Sequence, residues 1–133
     1  MIHPTELRIG NVFNLEGNVY KIYGITEEGF VQYERDNEIY YCSLNEMSPI
    51  ELTEEILLKC NFKKCEDKNC PGKCYIIDIG DEKDLSYCFK SYNVEYNCIY
   101  LNTKKIKIDY LHQLQNFVFA YTGAELDVSK VIE

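Results

Sequence analysis

The chain has 133 residues, 46% of them apolar and 27% charged, with 22 acids against 14 Lys and Arg and a net charge of −8. That balance excludes a disordered or fibrous chain. It also disfavours a generally basic nucleic-acid binder and electrostatic adhesion to an anionic membrane. Seven cysteines, twelve Tyr, six Phe and no Trp make an unusual set, and no motif names a reaction.

The first ten residues carry no basic stretch followed by an apolar run, and the longest apolar runs are four or five residues. About 20 are needed to cross a bilayer, so a cytoplasmic chain with reduced thiols is expected.

In chain order, residues 1–52 read as β-structure. Strands are expected at 12–15 and 19–25 around Glu16-Gly17-Asn18, then from residue 30, and at 39–42 beyond Asp36-Asn37. A last strand at 48–52 would close a five-stranded SH3-like β-barrel, with a flat sheet packed on the later helices as the alternative. Thr53 opens a helix over 53–61, with Glu54 and Glu55 on its positive end and Asn61 able to end it in the left-handed region.

Antiparallel strands follow over 62–108: 62–65, 74–79, 85–90, 96–101 and, after a turn at 102–104, 105–108. Asp109 then caps a helix over 109–122 with Leu111, Leu114, Phe117, Val118 and Tyr121 on one side, stopped by Gly123. The fold class is α+β: an SH3-like β-barrel at 1–52 and, at 53–133, an antiparallel sheet carrying two helices, the two forming one unit.

Charge is uneven. Residues 1–50 hold eight acids and three bases, and residues 51–133 fourteen and eleven. The acids gather at Glu27-Glu28, Glu34-Asp36-Glu38, Glu51-Glu54-Glu55 and Asp78-Asp81-Glu82-Asp84. The last group lacks the alternating spacing of an EF-hand loop and reads as a strand connection. A partner-binding surface is expected on Glu27, Glu28, Tyr33, Glu34, Asp36, Glu38 and Tyr40, because Tyr suits interfaces and the acids repel phosphate. The alternative is a nucleic-acid site on Lys59, Lys63, Lys64, Lys68 and Lys73.

Cys60, Cys65, Cys70 and Cys74 place four thiols within fifteen residues, a donor set suited to tetrahedral zinc. The C-x2-C pair that usually turns backbone amides around the metal is missing. Reduced thiols with no cofactor are therefore expected, with zinc on these four as the alternative. His112 lies beside the Leu stripe with Gln115 and Asn116 one turn on. With no acid or metal partner assigned to it, it reads as a hydrogen-bonding residue, and no catalytic residue is assigned.

Three segments carry a resemblance: Glu6-Leu7-Arg8-Ile9-Gly10-Asn11, Leu52-Thr53-Glu54-Glu55, and Leu111-His112-Gln113-Leu114-Gln115-Asn116 followed by Thr122-Gly123-Ala124-Glu125-Leu126. Together, and in this order, they resemble short proteins encoded by phages, prophages and mobile elements of Bacteroidota. No activity or catalytic residue is attached to that group, so no role carries over, and the cysteines at 65–74 depart from its pattern. The resemblance implies an accessory protein in the bacterial cytoplasm. The expected function is non-enzymatic: binding a host defence protein or effector nuclease complex as an anti-CRISPR-like inhibitor. Nucleic acid is the less favoured partner, and no membrane partner is expected.

Overall fold

The computed structural model describes residues 6–67, 70, 72–101 and 104–132. Lys68, Pro71 and, from the expected turn, Asn102 and Thr103 lie outside this set. The chain divides into two units, Met1–Glu51 with Tyr110–Glu133, and Leu52–Asp109.

The first unit is built on a four-stranded antiparallel sheet, β1 (Val12–Leu15), β2 (Asn18–Ile25), β3 (Phe30–Arg35) and β4 (Glu38–Ser43), in that order. Its hairpins follow from turn chemistry. Glu16 and Gly17, then Asp36 and Asn37, all take positive φ, and two such residues in succession give the twist that matches flanking strands. Inward positions alternate: Phe13, Leu15, Ile22, Val31, Tyr33 and Cys42 form a buried cluster with Met47. Phe13, Tyr20 and Tyr33 meet ring to ring at 4.8–6.2 Å.

The sheet is open. The expected closing strand at 48–52 makes only single bridges, Ser48 to Asn14 and Glu51 to Tyr110, so the five-stranded barrel is corrected to a four-stranded open sheet. Pro49 lacks the N–H that a continuous ladder needs.

The last long helix belongs to this unit rather than to the second sheet. It is α2 (Leu111–Thr122), preceded by Tyr110, whose N–H donates to Gln113 Oε1 at 3.1 Å. Asp109, the expected cap, stands outside it. Leu111, Leu114 and Val118 are buried, and the helix ends at Gly123. A short helix absent from the sequence reading, α3 (Ser129–Ile132), closes the described chain and buries Val131.

The second unit opens with α1 (Glu54–Lys59), where Thr53 Oγ1 accepts the Ile56 N–H at 3.2 Å and Asn61 takes φ 74°. Then comes a five-stranded antiparallel sheet: β5 (Lys63–Lys64), β6 (Cys74–Gly80), β7 (Lys83–Cys88), β8 (Cys98–Leu101) and β9 (Lys104–Lys107). Leu57, Cys60, Phe62, Tyr75, Leu85, Tyr87, Ile99 and Ile108 are among its buried residues, beside a cluster of cysteines. Tyr87 Oη donates to the Ile108 carbonyl at 2.7 Å, so its phenol is buried and partnered, and burial pushes its pKa up.

Candidate functional site

Two of the three segments that carry the resemblance, the first and the last, meet in the first unit, while Leu52–Glu55 lies in the second. Arg8 pairs with both carboxylate oxygens of Glu125 and donates through Nε to Asn116 Oδ1 at 3.2 Å. Asn11 Nδ2 reaches the same oxygen at 2.9 Å. Gln115 accepts the Val12 N–H at 3.0 Å and donates to the Gly10 carbonyl at 3.0 Å. Asn116 Nδ2 donates to the Glu6 carbonyl at 2.6 Å. Asn11 and Gln115 are buried. Each amide satisfies backbone groups of the chain entering β1, which a buried loop must have satisfied. Arg8, Asn11, Gln115, Asn116 and Glu125 form a polar staple between α2 and the first strand.

His112 is fully buried, and neither ring nitrogen has a hydrogen-bond partner among the described residues. Its Nε2 lies 4.0 Å from Glu6 Oε1. Burial lowers its pKa, and the Glu6 carboxylate opposes that shift. The expectation of a hydrogen-bonding residue is corrected: the ring is enclosed and stacks on Tyr110 at 6.0 Å.

The expected partner-binding residues divide. Along the β3–β4 pair, Val31 faces Cys42 and Tyr33 faces Tyr40, while Phe30 faces Ser43, Gln32 faces Tyr41 and Glu34 faces Ile39. The first set points inward, because Val31, Cys42 and Tyr33 are buried; the second points outward. Tyr33 is therefore core, and its pKa is raised mainly by burial. Tyr40 stacks on it at 5.9 Å and donates from Oη to Glu38 Oε2 at 3.1 Å.

The outward row carries side chains the sequence reading missed: Phe30, Ile39 and Tyr41, exposed by 46%, 45% and 59%. Tyr23, at a register shift between Ile22 and Gly24, is exposed as well. A Cβ at Gly24 would lie 2.5 Å from Gln32 Oε1, the movable end of a flexible side chain. Gln32 lies across it and donates to Tyr41 Oη at 3.3 Å. Of the expected acids, Glu34 sits in this row. Glu27 and Glu28 lie in the turn before β3, and Asp36 and Glu38 at the opposite turn. Strict alternation along β3 and β4 carried the signal, but parity needed the register.

Lys63 and Lys64 are consecutive on β5, so their side chains leave on opposite faces. Lys59 pairs with Glu55 at 3.3 Å within α1. Lys73 is exposed before β6, and Lys68 lies outside the described residues.

The cysteines differ most from expectation. Cys74 and Cys88 are directly opposed on β6 and β7, 4.1 Å apart at Cα, and form a disulfide. This corrects the expectation that all thiols are reduced; the register of strands fourteen residues apart made the pair, and spacing alone could not show it. Cys88 also faces Cys98 on β8, and the Cys65 N–H donates to the Cys74 carbonyl at 2.8 Å. Cys60 lies elsewhere: it is fully buried at the end of α1 and does not line the pocket of about 260 Å³ formed by Cys65, Asp67, Cys70, Cys74, Ser86, Cys88 and Tyr100. With the disulfide in place, no group of three or more His, Cys, Asp or Glu among the described residues is arranged to hold a metal ion. Among the described residues no helix is long and apolar enough to cross a membrane. Compared with protein-family models, with curated proteins and with solved structures, the chain finds no match.

Proposed function

We propose that the protein is a non-enzymatic binding protein that docks the outward face of its first sheet onto a basic protein surface. One observation carries this reading: Phe30, Ile39 and Tyr41 stand exposed in a row, with Glu34 among them and acids in the turns at both ends. Aromatic and aliphatic side chains at the centre with a charged rim are the composition of protein interfaces. The excess of acids over bases in residues 1–50 selects a cationic partner and repels phosphate. In the mobile-element setting that the sequence resemblance implies, the partner is a host defence protein, such as an effector nuclease whose nucleic-acid channel is basic. The acids then occupy positions that phosphates would take, as an anti-CRISPR-like inhibitor does.

The test is a pull-down from host lysate with three baits of matched thermal stability: the native chain, Tyr41→Lys and Glu34→Lys. A basic partner held by the native chain and lost from both variants is the expected result. Equal capture by all three, or a gel shift of bare DNA at low salt with no protein captured, overturns the reading.

A further inference from the structure

Five of the seven cysteines gather in one corner of the second unit. Cys74, Cys88 and Cys98 form its buried centre with Val94, and Cys65 and Cys70 pack against them. The arrangement is a register row. Lys64 faces Tyr75 on β5 and β6, so Cys65, bonded through its N–H to the Cys74 carbonyl, extends that pairing. Cys74 faces Cys88, and Cys88 faces Cys98. Positions directly opposed in antiparallel strands share a face. Cys65, Cys74, Cys88 and Cys98 therefore stand side by side across four strand positions, with Cys70 brought up from the connecting loop.

A packed corner does not require sulfur. β-branched residues fill pleated surfaces as well, and Cys42 and Cys60 show that this chain also buries single thiols in its cores. Cys65, Cys70, Cys74 and Cys88 share a different property: all four line one open pocket of about 260 Å³. Cys98 closes the row where solvent does not reach, and the pocket does not include it.

We propose that Cys65, Cys70, Cys74 and Cys88 form a tetrathiolate site for zinc, available when the Cys74–Cys88 disulfide is reduced. Cys88 replaces Cys60 in the set that sequence spacing suggested. Two ligands come from facing strands, one from the end of β5 and one from the loop, so the strand register does the converging that a C-x2-C pair does elsewhere. Four sulfurs at about 2.3 Å from one ion would pin the connection in which Cys70 N–H donates to the Asp67 carbonyl and Cys70 Sγ to the Gly72 carbonyl, both at 3.1 Å. The site would carry a charge of −2, and Lys63, Lys64 and Lys73 flank it in sequence.

The disulfide and the metal are alternatives. A dithiol reductant gives two electrons and two protons to the Cys74–Cys88 bond, the bond breaks to two thiols, and the reductant becomes a disulfide. Zinc binding then forms four metal–sulfur bonds and releases the four thiol protons to solvent.

The experiment uses the full chain with all seven thiols reduced, verified by thiol counting, and titrates it with cobalt(II) and then zinc under anaerobic conditions. The expected result is one cobalt per chain with the intense sulfur-to-metal charge-transfer bands of four thiolates, displaced by one zinc. Cys70→Ser, a loop substitution, and Cys88→Ser each weaken binding at least tenfold and lower the thiolate count, while Cys42→Ala leaves both unchanged. The air-oxidised chain binds none. Absence of a cobalt spectrum from the fully reduced native chain overturns the proposal, and so does an unchanged spectrum in Cys88→Ser.

Discussion

At the scale of single residues, Gln115 is the most exacting position in the first unit. Its one amide serves two backbone groups, the buried Val12 N–H and the partly buried Gly10 carbonyl. Truncation to Ala leaves both without a partner, and orphaned buried groups cost about 1–3 kcal/mol each. Gln115→Ala should lower unfolding stability by about 3 kcal/mol in urea. Glu125→Ala should cost under about 1 kcal/mol, because the Glu125 side chain is 51% exposed and exposed ion pairs contribute little. Equal losses in the two variants would show that the amide is not the staple. His112 predicts a pH dependence of definite sign. Its folded pKa lies below the ordinary value because burial disfavours the charged ring. As pH falls through about 6.5 the unfolded chain takes up the proton first. The stability contribution is thus complete above that pH and is lost below it. Denaturation midpoints between pH 8 and pH 5 should fall more steeply for the native chain than for His112→Gln; parallel curves refute the assignment.

At the scale of elements, the hairpins show where local sequence dictates structure. Asp36-Asn37 was legible because Asn and Asp tolerate the left-handed region, and both residues occupy it. Asp81-Glu82 joins β6 to β7 in the same conformation, with φ 53° and 59°, yet Glu is a poor choice there. The left-handed region costs an L-residue roughly 1–2 kcal/mol that Gly avoids, part of which returns as backbone entropy. Glu82→Gly should therefore raise stability by about 0.5–1 kcal/mol, read as a higher melting temperature with an unchanged circular dichroism spectrum. A lower one would mean that the Glu82 side chain has a partner in the fold. Helix signals were legible for the same local reasons: Thr53 and Gly123 mark their helices where expected. The strand at 48–52 was not legible as a pair of bridges, since whether an extended segment joins a ladder depends on what lies beside it.

At the scale of the whole molecule, composition and periodicity indicated an α+β chain with antiparallel sheets, and the structure has two of them, four- and five-stranded. What periodicity could not indicate was membership. The apolar stripe of α2 fits any sheet, and its assignment to the first unit rests on Gln115 and Asn116 finding the backbone around Glu6, Gly10 and Val12, contacts more than a hundred residues apart along the chain. The candidate surface was half legible for a similar reason. Its acids were visible as a charge pattern, while Phe30, Ile39 and Tyr41 needed the pairing of β3 with β4 to be told from the inward-facing Tyr33.

The division of the chain has a consequence for its birth on the ribosome. The sheet-forming residues of the first unit are made early, but α2 begins only after the 58 residues of Leu52–Asp109 have been added. At about 5–20 residues per second, the backbone groups around Gly10 and Val12 wait roughly 5–20 seconds for the amide of Gln115, more than a hundred residues later. The later-encoded unit, contiguous in the chain, has all of its strands before the earlier one has its helix. Nascent chains arrested at residue 109 should therefore present the first sheet as a client for chaperones that hold apolar strands.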